Sequence, residues 1–419
     1  MKQIITKILA WEARYVAMRF KPHVIGITGS VGKSSTKEAI AAVLESKFSV
    51  RRNKKSYNSE LGLALGILGL STAWQSKMGW VRNILLGLQE LRSKTFPEFL
   101  VLEMGIDRPK DMDALLDIVR PEIGVVTAIG EIPAHIEFFS GAEEVAREKS
   151  KLVKSLSAHG YAILNFDDLV VADMKEKISA RILTYGFGEG ADMRTSNYKI
   201  SPEGISFKVD FKGASVPVRL PGVFGKHHVY PALAAMLVGS LFDMHVIEMS
   251  EALYRYKSPP GRMKLIEGVK NSKILDDSYN ASPLATHAAL DTLSELEAKR
   301  KIIAFGDMLE IGKHTIGAHQ ALGARMAQVS DYLLTVGPRS KFAADEAIAS
   351  GMDKKHVMNF SDSKEAAQVL KQLIAEGDLV LIKGSQGMRM ERVVEEIMAH
   401  HEDASKFLCR QDTYWRSKA

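Results

Sequence analysis

The stretch GITGSVGKSSTKEAI, Gly26 to Ile40, holds the residues whose types and spacing speak most directly of chemistry. Gly29, Gly32, Lys33 and Ser34 form a GxxGKS run between the apolar HVIGITG and a segment with apolar residues at helical spacing. Glycines let backbone N–H groups wrap phosphate oxygens, and a helix N-terminus adds positive potential. In such a loop Gly29, Ser30, Gly32, Lys33, Ser34 and Ser35 surround the phosphates of a nucleotide. Lys33 meets the β and γ groups, and the Ser34 hydroxyl ligates Mg2+. The spacing departs from GxxxxGKS/T, because four intervening residues counted from Gly26 place the second glycine at Val31. A glycine-rich structural turn is the bland alternative.

Glu103 closes the apolar run PEFLVLEMG, at the carboxyl end of an expected strand, where parallel sheets gather their ligands. A carboxylate there can hold a metal ion; on position alone a capping or surface acid is the alternative. His135 and Lys149 say little by themselves. A lone histidine in a loop is usually structural, and a lysine on a polar helix face is usually solvated.

Strands must position these residues, and the chain supplies them. HVIGITG, PEFLVLEMG, PEIGVVTAIG and GYAILNFDD read as short buried strands separated by helical segments. That alternation predicts a mostly parallel sheet covered on both faces. Between about 193 and 221 the period changes to strict alternation, which predicts antiparallel strands. A helix is expected from His228 through Leu241. SPPGRM, Ser258 to Met263, stops the helical region and marks a boundary. Beyond it SKILDDSYN, RKIIAFGDM, DYLLTVG and DLVLIKG restart the alternation, although no GxGxxG follows the first of them. The expected class is α/β: a central P-loop ATPase domain with a mostly parallel sheet (23–257) and a C-terminal Rossmann-like α/β domain (258–419). Residues 1–22 form an N-terminal amphipathic helix ahead of both.

Composition sets outer bounds. The 419 residues are 46% hydrophobic and 25% charged, ordinary values for a globular chain. The single cysteine, Cys409, excludes an internal disulfide and a cysteine-built zinc site, and a reducing, cytoplasmic setting fits best. The net charge of +6 favours anionic substrates and is too diffuse to argue for nucleic acid. No apolar run reaches the length of a membrane span. In the N-terminal helix Ile4, Ile5, Ile8, Leu9, Val16 and Phe20 are apolar and Lys2, Lys7, Arg14, Arg19 and Lys21 basic. Packing on the next domain and contact with the inner face of a membrane are both open to it.

Six stretches together resemble the Mur ligases, ATP-dependent enzymes that join amino acids or a dipeptide to the peptidoglycan precursor. They are TGSVGKSS, SYNSELG (Ser56 to Gly62), LEMGIDRPKDM (Leu102 to Met112), the His135 to Lys149 segment, PGRMKLIEG with LDDSYNASP (Pro260 to Pro283), and GDMLEIG with LIKGSQGMRME. They span Thr28 to about Arg392. The DDSYNASP and GDMLEIG pair is similar to the branch that adds D-alanyl-D-alanine. The resemblance implies ATP and Mg2+ as cofactors, with Lys33 on the phosphates and Ser34 and Glu103 on the metal. It implies that His135 ligates a second Mg2+ and that Lys149 is carbamoylated, becoming an anion that helps hold it. Arg262 and Asp277 are expected to reach ATP from the C-terminal domain, with Asn280 beside them. Asn58 and Glu60 are expected near the acyl-phosphate site, and Lys383 and Ser385 near the incoming amine.

Two departures stand out. Members of this family carry a UDP-sugar-binding domain before the phosphate loop, where only one helix stands here; the acceptor is expected to be held otherwise, a lipid-linked precursor being one option. In GKHHVYPALAA, His228 and Pro231 replace asparagines of the family pattern, the first of which contacts adenine, while His227 is retained. The remaining alternatives are the same chemistry on another acceptor, as in folylpolyglutamate or cyanophycin synthesis, and a non-catalytic nucleotide binder. The oligomeric state is left open.

Overall fold

The computed structural model describes residues 2–54 and 57–417, side chains excepted at Lys2 and Lys177. Ser56, the first residue of the SYNSELG stretch, lies outside them. Nine strands form the first sheet: β1 (His23–Thr28), β2 (Val50–Arg52), β3 (Phe99–Glu103), β4 (Ile123–Val126), β5 (Tyr161–Asn165), β6 (Arg181–Gly186), β7 (Met193–Ser201), β8 (Gly204–Phe211) and β9 (Ala214–Pro221). Their order is β2-β3-β1-β4-β5-β6-β7-β8-β9, parallel through β7 and antiparallel from β7 to β9. The change of period near residue 193 therefore marks the start of the β7–β9 meander.

Two strands of this sheet escape a search for apolar runs. β2 is three residues long and contains two arginines, and it survives as an edge strand on β3. β6 begins with an exposed arginine, lies between β5 and β7, and buries Tyr185 in the core shared with the helix Val229–Ser240. Along β1 and β3 alternate side chains enter opposite cores, as the pleat requires. Ile25, Ile27, Phe99 and Val101 face α2 (Lys33–Leu44) and the helix Val229–Ser240. Val24, Leu100 and Leu102 face the other layer, which holds α1 (Lys2–Phe20), α3 (Glu60–Leu68), α4 (Lys77–Glu90) and α5 (Asp111–Ile118).

The N-terminal helix α1 is part of that layer. Leu9, Ala13 and Val16 are fully buried against Leu63, Ala64 and Ile67 of α3. Burying each leucine or valine contributes roughly 1.5–3 kcal/mol. Ile4 and Ile8, apolar in sequence, point outward.

The second sheet has six strands: β10 (Lys264–Gly268), β11 (Ser272–Asp277), β12 (Arg300–Gly306), β13 (Tyr332–Val336), β14 (Val357–Phe360) and β15 (Asp378–Lys383). The order is β10-β11-β15-β12-β13-β14, parallel except for β10. β10 and β14 are edge strands, half-exposed, and carry no continuous apolar run. The chain passes from one sheet to the other through Ser258 to Met263.

Candidate active site

β1 runs directly into the phosphate loop, and its register fixes what lies alongside. Ile27 pairs with Glu103, so the acid that ends β3 emerges beside the loop. Gly29 and Gly32 have φ of 145° and 90°, and a Cβ on Gly29 would lie 1.9 Å from Thr127 Oγ1. Only glycine fits there. The N–H groups of Ser30 and Val31 donate to the Ala128 carbonyl at 2.7 and 3.0 Å. Thr127 Oγ1 donates to the Val31 carbonyl at 2.6 Å, so the segment after β4 braces the loop. No side chain among the described residues caps α2, which leaves its first turn to an anion. Among those residues Ser30 Oγ and Thr28 Oγ1 are buried with no partner.

Two amines converge on this loop. Lys33 Nζ donates to the Gly29 carbonyl at 2.9 Å, and Lys149 Nζ, from α6 (Ala142–Lys154), donates to the same oxygen at 3.0 Å. Burial lowers the pKa of Lys33, with the Glu103 charge acting against it. Burial lowers Lys149 well below the usual lysine range, and the Lys33 charge lowers it further. Ser34 Oγ donates to the Glu103 carboxylate at 2.8 Å. Two hard oxygen donors at a phosphate loop fit a Mg2+ ion.

The second sheet closes over this arrangement. Arg262 donates to Ser34 Oγ at 3.0 Å and stacks its guanidinium over the Tyr279 ring at 4.2 Å. Asp277, at the end of β11, accepts from Lys383 Nζ at 2.5 Å and from the Met263 N–H at 3.3 Å. Burial raises its pKa, opposed by Lys383. Lys383 also donates to the Asn280 carbonyl at 3.0 Å, and Asn280 Oδ1 accepts from the Gln386 N–H at 3.3 Å. Lys383 is thus buried and engaged with Asp277 rather than presented to an open cavity. Ser385 Oγ accepts from the Leu309 N–H at 2.8 Å.

Other expected residues sit around this centre. The Asn58 carbonyl accepts from the Gly105 N–H at 3.1 Å, just past the end of β3, and Glu60 opens α3. His228 is buried, beside the Arg262 backbone. Burial, reinforced by the neighbouring His227, lowers its pKa well below the usual value and keeps the ring neutral. His135 occupies a left-handed turn, φ 67°, at the junction of the two units. Its Nδ1 lies 2.6 Å from the Glu310 carboxylate and its Nε2 3.4 Å from Asp107.

Asp107 and Glu310 were not legible as site residues, although both stand inside the motifs LEMGIDRPKDM and GDMLEIG. Asp107 puts negative charge near Lys33, Lys149 and His135 together. His135 and Lys149 have separate partners, His135 the Glu310 and Asp107 carboxylates and Lys149 the Gly29 carbonyl. Among the described residues no three His, Cys, Asp or Glu side chains cluster in a way that could hold a metal.

Comparison with known proteins decides the family. The family profile described as Mur ligase middle domain matches residues 27–239, and that described as Mur ligase, glutamate ligase domain matches residues 261–386. The chain belongs to the Mur ligase family. It is an ATP-dependent, ADP-forming amide ligase, as the family is. The UDP-N-acetylmuramoyl-tripeptide–D-alanyl-D-alanine ligase of Bacillus subtilis (strain 168) is 29% identical over 377 residues, covering 90% of this chain and 76% of its own. The crystal structure of MurF ligase from Thermotoga maritima in complex with ADP superposes with a TM-score of 0.78 at 27% identity, covering 96% of this chain and 84% of that one. A Mycobacterium tuberculosis folylpolyglutamate synthase, complexed with ADP and AMPPCP, shares the fold alone: TM-score 0.66 at 15% identity, covering 92% and 94%.

Proposed function

We propose that this Mur ligase joins the amine of D-alanyl-D-alanine to a peptide carboxylate of a peptidoglycan precursor. The contact that carries the reading is Arg262 on Ser34, which brings the second unit onto the phosphate loop. The names of the similar proteins supply the substrates.

Lys33 is held ready at the Gly29 carbonyl and would transfer its ammonium to the β and γ phosphates. The N-terminus of α2 and the loop N–H groups would orient them. Arg262 would add charge from the opposite side as the precursor carboxylate attacks the γ-phosphorus. Mg2+ held by Ser34 and Glu103 would neutralise phosphate charge. Asn58 and Glu60 border the space for the acceptor carboxylate, and Asp277 and Asn280 approach ATP from the second unit. The amine then displaces phosphate from the acyl phosphate, with Lys383 and Ser385 on its side of the site. Closure of the second unit on the phosphate loop would keep water from the acyl phosphate, which it would otherwise hydrolyse. His228, kept neutral, offers one ring donor and one acceptor to adenine in place of an asparagine amide.

Lys149 is assigned to carbamoylation. A neutral Nζ adds to CO2 and releases one proton, leaving an anion that with His135 could ligate a second Mg2+. The reading puts the enzyme in the cytoplasm, where ATP is at hand, and has α1 lie against the inner face of a membrane. Among the described residues no helix is long and apolar enough to cross one.

ADP release in the presence of Mg2+, D-alanyl-D-alanine and a UDP-linked tripeptide precursor tests the proposal, with the lipid-linked precursor in parallel. Turnover requiring both the dipeptide and one of the precursors is expected. Silence with both precursors would overturn the assignment of the acceptor.

A further inference from the structure

We infer that α1 and α4 together form one face that docks on a bilayer surface containing anionic lipid. This deepens the membrane contact proposed above for α1 and does not depend on which acceptor the ligase uses.

On α1 the residues Ile4, Ile8, Trp11, Tyr15 and Met18 recur at helical spacing on the side opposite Leu9, Ala13 and Val16. All five are exposed, Ile4 and Met18 at 64% and Trp11 at 56%. On α4 the residues Met78, Val81, Leu85 and Leu88 repeat the pattern, with Met78 at 82% and Leu85 at 61%. The helices lie side by side: Arg19 donates to the Leu91 carbonyl, and the Glu12 carboxylate lies against Gly87. Two outward apolar strips on adjoining helices mark an interaction surface, since folded chains rarely expose one without use.

The charge around the strips selects the occupant. Residues 2–21 and 71–97 hold nine Lys or Arg against two acids, a net +7, while the whole chain carries +6 and the remainder is therefore net −1. Glu12 is buried, and Glu90 is paired with Arg51 at 2.8 Å. Lys7, Arg14, Lys21, Lys77, Arg82 and Lys94 are exposed, with no exposed acid on either helix among the described residues. An apolar strip with a cationic rim matches acyl chains beneath anionic headgroups, where tryptophan and tyrosine settle at the boundary. A second copy docked on the same face would bring like charges together. Because α3 packs on α1 and carries Glu60 at its start, the acceptor side of the site stands one helix from this face.

Flotation of the full chain with phosphatidylcholine vesicles, with and without phosphatidylglycerol, tests the inference. The chain is expected to float with the anionic vesicles alone. Arg82→Gln with Lys94→Gln should weaken binding about fivefold for each cation removed, and Trp11→Ser with Leu85→Ser should weaken it at least as much. All these side chains are exposed, so ADP release in lipid-free buffer should match the unsubstituted chain. A full chain that floats with neither vesicle overturns the inference. Self-association without lipid that the same substitutions abolish also overturns it, in favour of a protein partner. Flotation without any ADP release would count against the ligase reading alone.

Discussion

Lys33 and Lys149 donate to one acceptor, the Gly29 carbonyl, at 2.9 and 3.0 Å. Two amines this close, Lys149 buried and Lys33 partly so, cannot both hold a proton cheaply, and Lys149 is the more strongly depressed. Its neutral form is the one that reacts with CO2, and that form grows as pH rises through the lowered pKa. Turnover is therefore expected to fall in CO2-depleted buffer, to return with bicarbonate, and to depend more steeply on bicarbonate at the acid side of the profile. Lys149→Ala should lose about 100-fold or more in kcat in either buffer. Equal rates with and without CO2 would set the carbamate aside.

Ser34 and Glu103 share a 2.8 Å hydrogen bond at the mouth of the loop. Ser34→Ala and Glu103→Gln each remove one oxygen donor suited to Mg2+. Each should raise the Mg2+ concentration for half-maximal ADP release by about 10- to 100-fold. A magnesium titration at saturating ATP reads this directly.

Arg262 uses two properties at once, a donor to Ser34 and a flat cation over Tyr279. Lysine keeps the charge and loses the plane. Arg262→Lys is expected to lower kcat/KM for ATP by about tenfold or more while leaving the thermal midpoint within a few degrees. An unchanged kcat/KM would mean that the second unit reaches ATP by another residue.

Trp74, in the segment before α4, stacks on Tyr414 near the C-terminal end, with ring centroids 4.0 Å apart and planes at 11°. Such a pair is worth roughly 0.5–1.5 kcal/mol beyond its buried area. Trp74→Ala should speed proteolysis within residues 404–416 several-fold, measured by mass spectrometry of timed digests, without changing the rate at internal sites of either sheet.

Glu12 is fully buried in α1, with both carboxylate oxygens unpartnered among the described residues, and burial pushes its pKa up to about 7. The folded state keeps this proton to higher pH than the unfolded chain does. Its contribution to stability is present below the ordinary carboxyl value and is lost as pH rises through about 7. Glu12→Gln should remove that slope, gaining of the order of 2 kcal/mol over the parent at pH 8 relative to pH 5. Urea melts at the two pH values measure the difference.

The glycine-rich loop between β1 and α2 was legible because its signal is local. Gly29, Gly32, Lys33 and Ser34 lie within six consecutive residues, and the strand and helix around them follow from period alone. Parallel strands before the boundary, the antiparallel change near residue 193 and the second α/β unit followed from the same patterning. The edge strands β2, β10 and β14 did not, because an edge takes its hydrogen bonds from a neighbour and needs no apolar run of its own.

What the sequence by itself determined is a glycine-rich strand–loop–helix, two α/β units and, through motifs, a family. Tertiary structure alone decided that Lys149 shares an acceptor with Lys33, that Asp107 and Glu310 flank His135, and that Lys383 is held by Asp277. It also decided that α1 buries one apolar side and leaves the other in solvent beside α4. The physical reason is the same in each case. Charge, burial and pairing depend on which strand ends and helix faces meet, and residues far apart in sequence carry no periodic signal of that meeting.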